Sequence, residues 1–76
     1  MFKEWAIDAS MCQDGLLCLV PIDENQIYTG FSYFCRLDEL PENKPIVAVI
    51  HPDGQEAVER WCEENKNIVD MIFKNS

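Results

Sequence analysis

Four cysteines, one histidine and a row of carboxylates are the residues of this chain that could do chemistry. The cysteines stand at 12, 18, 35 and 62, with 5, 16 and 26 residues between them. Zinc sites place paired ligands roughly two to four residues apart and complete the set with further cysteine or histidine. Cys12, Cys18, Cys35 and Cys62 contain no such pair and His51 is the single imidazole, so no metal and no other cofactor is expected. A disulfide framework belongs to secreted chains. The opening Met1-Phe2-Lys3-Glu4-Trp5, with Asp8 inside what would be the apolar stretch, does not read as a secretory signal. The thiols are therefore expected to serve as small buried apolar groups.

His51 ends an apolar run and precedes a helix start, a placement where α/β proteins bind small ligands. A nearby cysteine would give it a nucleophile. The helix start, however, is lined by Asp53 and Glu56, which repel an anionic ligand, and no cysteine is assigned to the histidine. No catalytic residue is expected, and the chain reads as a non-enzyme.

The carboxylates carry the stronger signal. Fourteen Asp and Glu against six Lys and Arg leave a net charge of −8 on 76 residues. Such a field repels nucleic acid and anionic membranes and draws in basic proteins. No basic stripe, RNA-binding aromatic motif or glycine-rich phosphate loop is present, so direct nucleic-acid binding is not expected. The longest apolar run, Leu16 to Ile22, is far short of the roughly 20 residues of a membrane span. A soluble, cytoplasmic protein is the expectation.

Glu56, Glu59, Glu63 and Asp70 recur on one side of a helical pattern, and Asp38, Glu39 and Glu42 stand in the acidic connection before it. Carboxylates one helical turn apart lie about 5–6 Å from each other. On a rigid element, that spacing can imitate the phosphates of a nucleic-acid backbone. The bland alternative is a solvated face that keeps the protein soluble, because Arg60, Lys66 and Lys74 dilute the row.

The elements that would position these groups follow from periodicity. Val58, Trp61, Cys62, Asn65, Ile68, Val69 and Ile72 form one stripe at spacings of three and four. They predict a helix from about 54 to 74, with Asp53 as its cap and Glu56 completing a capping-box-like pair. Glu56–Arg60, Arg60–Glu64 and Asp70–Lys74 are expected i,i+4 ion pairs. The weak point is Asn65-Lys66-Asn67, where a break followed by a final strand over 68–73 is the alternative.

Pro45 to His51 is a continuous apolar run rich in β-branched residues and predicts a strand covered on both faces or central in the sheet, which Pro52 ends. Ile27 to Leu37 alternates as one strand, while Pro21 is expected to end the strand over 16–20 or to hold it at an edge. Trp5, Ile7, Ala9 and Met11 alternate towards Asp14-Gly15, a favoured hairpin dipeptide. A helix over 11–20 capped by Ser10 is the competing reading, at a cost of about 1 kcal/mol for Gly15.

These elements predict a single domain over residues 1–76 in the α+β class: a three- to four-stranded, mostly antiparallel sheet with a C-terminal helix on one face. The expected core is Trp5, Ile7, Leu17, Leu19, Phe31, Tyr33, Ile46, Val47, Val49, Val58, Trp61, Cys62, Ile68 and Ile72. One helix covers one sheet face, so Tyr28 and Phe34, with Trp5 or Leu16, are expected on a second face that needs a partner, such as a second copy of the chain. The functional expectation is a non-catalytic acidic module that inhibits or titrates a basic, nucleic-acid-binding protein, by nucleic-acid mimicry of the kind found in phage or mobile-element anti-defence proteins. An immunity or antitoxin-like protein that neutralises a basic nuclease, and an assembly subunit held by an aromatic sheet face, are the alternatives.

Overall fold

The computed structural model describes residues 2–23, 26–27 and 31–73. Five strands form one sheet: β1 (Glu4–Asp8), β2 (Leu16–Asp23), β3 (Gln26–Ile27), β4 (Tyr33–Arg36) and β5 (Ile46–Ile50). Two helices come after them, α1 (Gln55–Glu64) and α2 (Lys66–Phe73). Leu19 pairs with Ile7 on one side and Tyr33 on the other; Ile22 pairs with Glu4 and Ile27 in the same way. β3 and β4 thus share one edge of β2, and the five strands fill four positions. Only β1 and β5 run parallel. This is the expected α+β architecture, with the C-terminal helices packed on the sheet, but β5, expected to be covered on both faces or central, lies at an edge and pairs only with β1 among the described strands.

β1 and β2 are joined as the hairpin reading requires. Asp14 (φ 55°) and Gly15 (φ 80°) both take left-handed backbone, and Gln13 and Leu16 exchange hydrogen bonds at 3.2 and 2.9 Å. That is the geometry Asp-Gly supplies in a two-residue turn. The strand expected to run through Met11 stops at Asp8, however, where a 3-10 turn (Ala9–Met11) intervenes. Between the Ile7–Leu19 pair and the Gln13–Leu16 pair, one side uses five residues (8–12) and the other two (17–18). The extra residues are folded into the turn, which Asp8 caps through its side chain on Ser10 N–H and Oγ–H. Cys12 closes the gap. Its thiol accepts from Cys18 N–H at 3.3 Å and donates to Asp8 C=O at 3.4 Å, replacing ladder bonds that the backbone cannot make there.

Pro21 neither ends β2 nor sits in an edge strand; β2 runs on to Asp23 at the centre of the sheet. The reason lies in where its missing N–H would point. Trp5 N–H is used towards β5, on Pro45 C=O at 2.8 Å, so Trp5 and its partner Pro21 face each other without exchanging hydrogen bonds. The Pro21 nitrogen is turned to the other side of β2, away from β1. Phe31 and Ser32, inside the strand expected over 27–37, are not strand; residues 28–30, Tyr28 among them, lie outside the described residues.

The core sits on β1 and β2. Trp5, Ile7, Leu17, Leu19 and Cys35 are buried, and Phe2, Leu40, Ile46, Val49, Trp61, Ile72 and Phe73 pack around this layer. The other face centres on Ala6, Cys18 and Val20, with Ile22, Ala48 and Ile50 beside them. Ala6 and Cys18, at the centre of this second face, are 0% exposed. Trp5 belongs to the helix side. Phe31, Tyr33 and Val47, expected in the core, are exposed; Val47 sits where the register between β1 and β5 slips.

The helical region differs from expectation at both ends of α1. Gly54 (φ 103°) is its N-cap, with no side-chain cap, and Asp53 is exposed instead of capping. His51 Nδ1 accepts Asp53 N–H at 3.0 Å and His51 C=O accepts Gly54 N–H, which uses this segment in a tight turn before the helix. A break does occur at Asn65, but the chain then enters a second helix and not a strand. Asn65 donates to Trp61 C=O from both Nδ2 (2.8 Å) and its backbone N–H (3.0 Å), while its own C=O receives Val69 N–H. The asparagine on the apolar stripe is the joint between the two helices.

Candidate functional site

The outer side of α1 gathers the acidic residues. Glu56, Glu59 and Glu63, together with Glu64 and Arg60, line one open concavity on the helix surface. Positions 56, 59–60 and 63–64 fall one and two turns apart, so a single helix face presents them. Gln55 Nε2 reaches Glu59 Oε2 at 3.5 Å, the outer limit of a hydrogen bond. The ion pairs expected from Arg60 to Glu56 and Glu64 are not formed within 4 Å among the described residues, and Lys74, the expected partner of Asp70, lies outside them. Arg60 stands among the four glutamates without a direct ion pair, so the face keeps an excess of negative charge.

This arrangement is unfavourable to the helix that carries it. Glu59 and Glu63 are like charges at i,i+4, which costs a few tenths of a kcal/mol. Glu63 and Glu64 stand in the last turn, where the partial negative charge of the helix end favours cations, and no basic residue occupies that turn. The acidic set read from periodicity omits Glu64, because that row extends across Asn65 to Asp70; the i,i+8 relation to Glu56 is the signal that finds it.

The remaining acidic candidates are dispersed. Asp38 and Glu39 lie exposed on a 3-10 turn (Leu37–Glu39). Leu37 lines a cavity of about 290 Å³ together with Trp61, Asn65, Ile68 and the hairpin residues Cys12 to Leu17. Asp38 and Glu39 therefore adjoin the region where α1 ends. Glu42 is elsewhere, bordering a concavity beside Met71 and Ile72 at the far end of α2. Asp70 is exposed on α2. The structure thus brings Glu56, Glu59 and Glu63 together and leaves Glu42 and Asp70 outside that group.

Cys18 and Cys35 are buried, and Cys12 and Cys62 are partly buried. Burial pushes the thiols of Cys12, Cys18 and Cys35 above their ordinary range; the Cys18 N–H bond offsets part of the effect at Cys12, and a Ser32 hydrogen bond does so at Cys18. Burial raises Cys62 as well, with the negative charge of Glu59 acting in the same direction. A raised pKa leaves little thiolate near neutral pH, the opposite of what a nucleophile needs. His51 makes no hydrogen bond to a cysteine among the described residues. No group of three His, Cys, Asp or Glu among them is placed to hold a metal ion, and none of their helices is long and apolar enough to cross a membrane.

Phe34, expected on a second interface, is exposed on β4, whereas Leu16 is half-buried. No protein-family model, curated protein or solved structure matches the chain.

Proposed function

We propose that the protein is a non-catalytic acidic module that binds and inhibits, or titrates, a basic partner. The partner class is a nucleic-acid-binding protein, and the contact surface is the outer face of α1. The observation that carries this reading is the cluster of Glu56, Glu59, Glu63 and Glu64 on one rigid helix face, with Arg60 the single basic residue among them, maintained against like-charge repulsion and the helix dipole. Carboxylates at one-turn spacing present negative charge on the length scale of a phosphate backbone, so the face competes for the same basic groove. Phage and mobile-element anti-defence proteins, and immunity proteins directed at basic nucleases, are the functional classes that use such a surface. Cytoplasmic action fits a partner of this kind.

The test uses a panel of basic DNA- and RNA-binding enzymes as probes, with duplex DNA and structured RNA as competitors. Binding is expected at low salt, displaced by nucleic acid and weakened steeply as salt rises, because exposed charges are screened within about 10 Å at 0.1 M. Reversing Glu59 and Glu63 to Lys should raise the off-rate at least about tenfold with the fold intact, since direct contacts act mainly on dissociation. Neutralising Glu4 and Asp14, on β1 and in the hairpin turn, should act mainly on the on-rate. Equal, purely on-rate effects from both pairs would show that the charge only steers and that α1 is a solvated face.

A further inference from the structure

Neither edge of the sheet carries an acidic residue: Asn43 to Pro52, which contains β5, has none, and neither does the stretch that holds β3 and β4. From Gln26 to Leu37 the sequence carries no Asp or Glu, although fourteen are spread over the rest of the chain; its one charge is Arg36. This stretch supplies the β3/β4 edge. It also holds four of the seven large apolar side chains exposed among the described residues: Ile27 (48%), Phe31 (52%), Tyr33 (40%) and Phe34 (46%).

The two edges of the sheet are guarded differently. β5 is irregular where its register against β1 slips, and Pro45 and Pro52 flank it. Bulges and prolines are the usual means of stopping edge-to-edge pairing. β4 pairs in regular register, from Leu16–Arg36 to Leu19–Tyr33, and its residues include no proline. In an antiparallel strand, N–H and C=O groups point to alternate sides. With one side of β4 engaged on β2 and no second strand paired with it among the described residues, the backbone groups on its other side stand outside the sheet ladder, flanked by exposed aromatic side chains.

We infer that the β4 edge is a self-association surface, taken by the β4 edge of a second copy of this chain in antiparallel alignment. Charge selects that occupant. A basic partner gains nothing from a strip that lacks acids and carries Arg36. Two copies at −8 each repel across most approaches, and of the two acid-free edges where they can meet without setting carboxylate against carboxylate, β4 is the one without a register slip or flanking prolines. A two-fold axis near Phe34 joins the two sheets into one and covers Phe31, Tyr33 and Phe34 of both copies. The α1 acidic face lies on the helical layer and stays open, so self-association through β4 is independent of the proposed function.

Sedimentation of the purified full chain over about a hundredfold range of protein concentration tests it, because dimer population depends on protomer concentration. A reversible dimer is expected, and it should hold or tighten as salt rises, since screening relieves the repulsion between the copies. Phe34→Asp should weaken the dimer at least about tenfold by placing like charges beside the axis. Arg36→Asp, at an exposed position, should weaken it as well and carries the test if Phe34→Asp does not fold. A monomer across the whole range, a dimer that dissociates as salt rises, or a dimer indifferent to both substitutions would each overturn the inference.

Discussion

The sheet and the helices of this protein stand in contrast. β1 and β2 hold nearly all of the deeply buried side chains, including Ile7 and Leu19 at 0% exposure, whereas neither α1 nor α2 contains a single buried residue. The helices cover the sheet through half-buried residues such as Trp61, Ile72 and Phe73. A chain of this size has little apolar surface to bury, and here it concentrates that surface on a central hairpin. The helical layer is left with a lighter structural role and a freer choice of surface residues. That freedom is where the uncompensated carboxylates of α1 are found.

The sharpest test of this contrast is Leu19→Ala. Leu19 pairs with both Ile7 and Tyr33 and is fully buried, so its truncation should cost about 2–5 kcal/mol in denaturant melts. Trp61→Ala should cost less than the roughly 3–5 kcal/mol typical of a fully buried tryptophan, because Trp61 is only half-buried. Should Trp61→Ala unfold the chain as thoroughly as Leu19→Ala, the helices are part of the core and the division fails.

Asn65→Ala probes the joint between the helices. It removes the 2.8 Å side-chain bond to Trp61 C=O while leaving the backbone bond in place, and should cost about 1 kcal/mol. Hydrogen exchange should rise in α2 more than in β1 and β2. Uniform acceleration in all elements would mean that sheet and helices open as one unit.

The smallest effect at neutral pH concerns the thiols of the sheet. Cys12, Cys18 and Cys35 are raised by burial in the folded state, so folding favours their protonated forms. Their contribution is fully present below the unfolded thiol value of about 9 and is lost as pH climbs through the raised values. Denaturant melts should show a decline above about pH 9 that Cys18→Ala makes shallower. An unchanged slope would assign the alkaline loss to other groups.

Local chemistry determined a good part of this protein. Asp14-Gly15 can adopt the two left-handed residues of a tight hairpin turn, and the apolar stripe of residues 58–72 requires a helical layer, so both were legible from the chain. The acidic row over Glu56, Glu59 and Glu63 was legible for the same reason: a helical period is a property of neighbours in sequence. What tertiary structure alone decided depends on partners far along the chain. Pro21 occupies a central strand because its partner Trp5 turns its N–H towards β5, so the pair exchanges no hydrogen bond in the ladder. Cys12 stands in for backbone because three extra residues between the hairpin strands open a gap that only its thiol spans. Tyr33 is exposed despite its aromatic ring, since its strand lies at an edge, and so is Phe31 two residues before it. Whether a strand is central or peripheral is set by pairing across the sheet, and alternation along one strand carries no record of it.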